Sequence, residues 1–123
     1  MKTLPLLELI DYTMRIDLDL IPSTIRVYWN EFSDAEKSNF ETAGCWYMDI
    51  SNNLFTIDGI KIVGGCELMW PYSEVAFGGF VLTDMSNQDL DPEFIGMGSR
   101  WQLDYYDLNE IDAVRQVLKL ETV

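Results

Sequence analysis

The chain contains no histidine. That absence removes Ser–His and Cys–His nucleophile pairs, imidazole acid–base catalysis and histidine metal ligation together. Cysteine is nearly as scarce: Cys45 and Cys66 are the whole complement and do not form a CxxC. Two separated thiols argue against a zinc site. Their spacing alone would allow a disulfide, but without an export signal they read as reduced, buried thiols. Basic residues number 8 against 21 acids, for a net charge of −13. Phosphate backbones and anionic membrane surfaces need clustered Lys and Arg, so direct contact with nucleic acid or membrane is disfavoured.

Long apolar runs are missing too. No stretch approaches the roughly 18 apolar residues of a membrane span. The opening "MKTLPLLELID" is interrupted by Glu8 and Asp11, with no small-residue cleavage site behind it. It therefore does not read as a signal peptide, and the expectation is a cytoplasmic protein. What is present is enough for a core: 48% hydrophobic and 13% aromatic residues in 123. One compact domain spanning 1–123 follows from that size, with no linker, repeat or low-complexity tract.

Local patterns predict the elements. In "TLPLLELIDYTMRI", Leu7, Ile10 and Met14 fall on one helical face and Pro5 stands where a first turn tolerates it, which predicts an N-terminal helix. "RIDLDLIP" (15–22) alternates like a strand. Residues 23–32 fit either period, leaning to strand through their β-branched content. Ser33 and Glu36 form a capping box ahead of Gly44, predicting a short helix near 34–43.

Trp46, Met48 and Ile50 alternate, and the pairs Asn52-Asn53 and Asp58-Gly59 read as turns, which predicts a three-stranded meander over 45–64. Residues 80–83 and 101–106 read as further strands. Asp107 and Glu110 cap a C-terminal helix near 108–120. The expected fold is thus α+β, a mainly antiparallel sheet of about 4–6 strands carrying three helices.

No catalytic constellation stands out. Among so many acids some carboxylate pair always satisfies a search, so glycosidase-type pairing carries no weight. "GMGSR" (96–100) lacks the glycine pattern of a phosphate loop and reads as a turn. An EF-hand starting at Asp84 would need Gly and Glu where Asp89 and Ile95 stand. An irregular calcium loop through Asp84, Asp89 and Asp91 is the minor alternative. The expectation is a non-enzymatic protein without cofactor or metal, with an enzyme that works through carboxylates alone as the remaining alternative.

The lead is charge. Between Lys61 and Arg100 there is no base, and residues 84–112 hold eight acids and one base. Asp107 and Glu110 are accounted for by capping, and Trp101, Leu103 and Tyr105 by the core. The partner-binding candidates are therefore Asp84, Asp89, Asp91, Glu93, Asp104, Tyr106 and Asp112. Complementary fields speed encounter and select partners.

The leading expectation is an acidic inhibitor that docks on a basic, nucleic-acid-handling protein: a nuclease, toxin or phage-defence effector. It would act as an immunity or anti-defence protein, with nucleic-acid mimicry as one form. The alternative is a structural or assembly domain that oligomerises through apolar surface, its acids serving solubility only. The oligomeric state is open.

Overall fold

The computed structural model describes residues 1–31, 44–73, 78–88 and 90–121, without the side chains of 119–121. In chain order its strands are β1 (Lys2–Thr3), β2 (Asp11–Leu18), β3 (Ile21–Glu31), β4 (Gly44–Ser51), β5 (Thr56–Lys61), β6 (Gly79–Asp84) and β7 (Trp101–Tyr106). A 3-10 turn covers Trp70–Tyr72, and the helix α1 runs over Ile111–Glu121. The strands form two antiparallel sheets, ordered β1-β7-β6 and β2-β3-β4-β5. No described helix is long and apolar enough to cross a membrane.

The molecule is therefore mostly β, and the α+β expectation is corrected. No N-terminal helix forms. Leu4 and Leu6 are buried while Leu7, Leu9 and Ile10 are exposed, and the chain then enters β2 with Tyr12, Met14 and Ile16 half-buried. The spacing of Leu7, Ile10 and Met14 matched a helix by coincidence, since short apolar runs fit both periods. A lone helix turn is marginal in water, whereas β2 gains a continuous ladder against β3, from Asp11↔Tyr28 to Leu18↔Ile21. Of the segment 23–32, residues 23–31 lie in β3, as their branching suggested, and residue 32 lies outside the described residues. The helix expected near 34–43 lies outside the described residues.

The meander has two strands rather than three. Asn52 does make the first turn: its Oδ1 accepts from the N–H groups of Leu54 and Phe55 at 2.8 and 3.0 Å. Asp58-Gly59 makes no turn. Gly59 takes φ +73 inside β5, beside a register shift opposite Met48–Ile50. A glycine can bulge a strand as readily as reverse it.

The core joins both sheets. Ile25, Val27, Trp46, Met48 and Ile50 from one meet Phe80, Leu82, Trp101 and Leu103 from the other. Alternation places them there: β4 and β7 bury every second residue. At the end of β7 the cap forms as expected. Asp107 Oδ1 accepts from the N–H groups of Asn109 and Glu110, and Glu110 Oε1 accepts from the Asp107 N–H. Among the described larger apolar side chains of α1 (Ile111, Val114, Val117 and Leu118), only Ile111 is fully buried.

The β2–β3 hairpin turns on Asp19 and Leu20, with φ of 52 and 65. This is the left-handed region that two-residue hairpins require and that a leucine adopts at a cost. Leu20 is 94% exposed, so nothing repays that cost by packing. Leu20→Gly is expected to stabilise the chain by about 0.5–1 kcal/mol, read from urea unfolding midpoints. No change, or a loss, would show that the leucine has another role in the turn.

Candidate functional site

The acidic segment after β6 is held by specific bonds rather than left free. Asp84 ends β6, and its side chain is 2% exposed. Both carboxylate oxygens take Arg100 at 3.0 Å, and they also accept from Ser86 and from the Leu90 N–H. The Arg100 guanidinium beside it, aided by these donors, holds the Asp84 carboxyl well below the usual carboxylate range. Asp84 therefore has no free oxygen to offer a calcium ion or a partner surface.

Two indoles pin the next residues. Trp101 Nε1 donates to the Leu90 carbonyl at 3.0 Å, and Trp46 Nε1 to the Glu93 carbonyl at 2.8 Å. Phe94 stacks on Trp46 at 5.5 Å and meets Trp29 edge-on at 5.8 Å. Buried tryptophans need a partner for their N–H; here the partner is the backbone of the acidic segment.

The remaining candidates are scattered. Asp89 lies outside the described residues. Asp91 is exposed and accepts from the Gly64 N–H at 3.2 Å. Glu93 exposes its side chain. Asp104 accepts from Thr3 Oγ1 at 2.6 Å across the β1–β7 pair. Tyr106 is half-buried on the same face of β7, and that burial pushes its phenol up. Asp112 sits in the first turn of α1, beside a cleft of about 690 Å³ lined by Cys66, Trp70, Pro71 and Arg115. Asp104 and Tyr106 share one strand face; Asp84 faces inward and Asp112 stands on the helix.

Two buried polar groups make bonds that the sequence did not reveal: the burial of Glu67 was not expected, while Tyr105 was expected in the core without its partner. Glu67, with its side chain 2% exposed, accepts from the N–H groups of Met69 and Phe80 through Oε1 and from Arg115 Nε through Oε2. Tyr105 donates its hydroxyl to Asp19, which ties the β2–β3 turn to β7. Burial, reinforced by the Asp19 charge, pushes the Tyr105 phenol far up, and burial raises Tyr12 as well. The cysteines are unbridged, but Cys66 is exposed rather than buried. Partial burial, then the charges of Glu67 and Asp91, pushes its thiol up and keeps it a poor nucleophile.

The tyrosines give a pH prediction. In the unfolded chain they ionise near pH 10, while in the fold Tyr105 and Tyr12 hold their protons higher. The unfolded state therefore loses protons first. Stability is fully present below about pH 10 and falls as pH rises toward the folded values. Urea midpoints should drop between about pH 10 and about 12, with a shallower slope in Tyr105→Phe. A midpoint flat across that range would contradict the burial of these phenols.

The alternative reading expected apolar surface for assembly but did not locate it. Leu7, Leu9, Ile10 (67% exposed) and Ile95 (75%) stand on two adjoining loops. The loops are joined where Glu8 accepts from the Gly96 N–H at 2.8 Å and where Gly98, at φ +89, lets the Leu6 backbone approach. The helical reading grouped Leu7 and Ile10 on one face with Met14, which hid this cluster.

A family model described as the cyanophage baseplate Pam3 plug gp18 matches residues 1–109. Every described strand lies within that match, and α1 follows it. No curated protein matches the chain. A baseplate family is structural, so the expectation of an inhibitor, immunity protein or nucleic-acid mimic is overturned, and a basic nuclease partner has no support. With the match covering nearly the whole chain, this protein belongs to the family of the cyanophage baseplate Pam3 plug gp18.

Proposed function

We propose that the chain is a non-enzymatic structural component of a phage baseplate that assembles with neighbouring protein subunits largely through apolar surface. The family match over residues 1–109 carries this reading. The exposed cluster of Leu7, Leu9, Ile10 and Ile95 supports it, because adjacent exposed aliphatics on a small chain favour protein contact. In this reading the acids have two uses. Some, such as Asp84 and Glu67, bind the fold together; the exposed ones keep the free subunit soluble before assembly.

Quantitative mass spectrometry of particles purified from a phage that encodes the chain tests the proposal. A fixed copy number that survives washing in high salt is expected, since apolar contacts are not screened. Absence from the particles, or release by salt alone, would overturn it.

A further inference from the structure

Resting on that assembly reading, we propose that β2 pairs with β2 of a second copy of this chain, antiparallel and centred on Thr13. Among the described residues the two sheets end on β1, β6, β2 and β5. Three of these edges are guarded. β1 is two residues long, the outer side of β6 meets Gly64 and Glu67, and β5 is bulged around Gly59. β2 has eight residues, an unbroken register and neither proline nor glycine. Long flat edges of this kind template strand addition.

The direction of its backbone groups follows from one bond. The Trp29 N–H donates to the Ile10 carbonyl at 2.8 Å, so Ile10, Tyr12, Met14 and Ile16 turn their backbone toward β3. Asp11, Thr13, Arg15 and Asp17 turn theirs outward. Lys2 Nζ already donates to the Asp17 carbonyl at 3.0 Å. The open groups are those of Asp11, Thr13 and Arg15.

Charge then selects the register. Centred on Met14, Asp11 would face Asp17 of the partner subunit and compete with Lys2. Centred on Arg15, that residue would face Arg15 of the partner subunit. Centred on Thr13, Asp11, which already pairs with Arg26 of its own chain at 2.6 Å, also faces Arg15 of the partner subunit and the reverse, so a cluster of opposite charges flanks the axis on each side. Arg15 has no anionic partner within its own chain among the described residues, although the chain is strongly acidic. The same register sets the exposed Ile10 against Ile16 of the partner subunit, and Tyr12 against Met14 of the partner subunit. All four are residues that the single chain leaves partly or wholly uncovered.

Sedimentation of the full chain over a concentration series tests this. The wild type should dimerise, and Arg15→Glu and Asp11→Lys should each weaken the dimer by about ten-fold or more, because each places like charges opposite one another. Mixing the two variants should restore it, since every cross-strand pair is then complementary. Thr13→Pro, tolerated at an edge, should abolish the dimer while leaving circular dichroism unchanged. Amide exchange at Asp11, Thr13 and Arg15 should slow only in the dimer. A wild type that stays monomeric, or an assembly indifferent to charge reversal and to Thr13→Pro, would overturn the pairing. Neither result touches incorporation into particles, whose failure would strike the baseplate reading and leave the dimer standing.

Discussion

Arg115→Met is expected to lose about 3–5 kcal/mol of folding stability, because it strands the Glu67 carboxylate inside the molecule. That carboxylate joins three parts of the fold: the segment before the 3-10 turn, through Met69; β6, through Phe80; and α1, through Arg115. Arg115 Nη2 also lies 3.0 Å from Oε2, out of hydrogen-bond alignment and with no other partner among the described residues, and the guanidinium sits over Trp70 at 5.2 Å. Breaking one half of a buried pair costs far more than the pair contributes when whole. The double variant Arg115→Met with Glu67→Gln should therefore recover much of the loss, since the amide oxygen can still accept from Met69 and Phe80. Chemical denaturation of the four proteins of this cycle measures the coupling. Strictly additive losses would show that Glu67 and Arg115 act independently. The packing is close here: a Cβ on Gly79 would overlap the Glu67 carboxylate and stand 2.6 Å from Ile111 Cδ1. The glycine gives the carboxylate its place.

Trp46→Ala should cost about 3–5 kcal/mol, the usual loss for a large aromatic removed from a packed core. Trp46 is fully buried, packs with Trp29 and Phe94, and holds the Glu93 carbonyl through its N–H. The loss should also appear locally, as faster amide exchange in residues 90–95, which carry Ile95 of the exposed cluster. Trp46→Phe separates the two contributions: stacking is kept, the hydrogen bond goes, and about 1–1.5 kcal/mol is expected. A loss for Trp46→Ala below that of Trp46→Phe would mean that the indole does not organise this end of the molecule.

How much of this was legible beforehand depended on whether a signal was local. The alternation of Trp101, Leu103 and Tyr105, the turn at Asn52 and the cap of Asp107 with Glu110 are each set within a few residues, and all of them form. The first sixteen residues carried two compatible periods. The β3 ladder, formed by a segment further along the chain, decided for strand. Asp58-Gly59 shows the same ambiguity within two residues, since bulge and turn share their chemistry.

The acids of the candidate site could not be sorted at all from composition. An exposed Asp91 and an Asp84 enclosed by Arg100, Ser86 and the Leu90 N–H are the same residue type in the same acidic run. The sequence by itself determined that no histidine is present, that acids outnumber bases enough to disfavour contact with phosphate backbones, and that there are enough apolar residues for a core. Only the tertiary structure decided which charges are internal braces, which aliphatics are left outside and which strand edge is unpaired among the described residues. Burial and pairing are properties of distant segments brought together, and neither is encoded in the neighbours of any one residue.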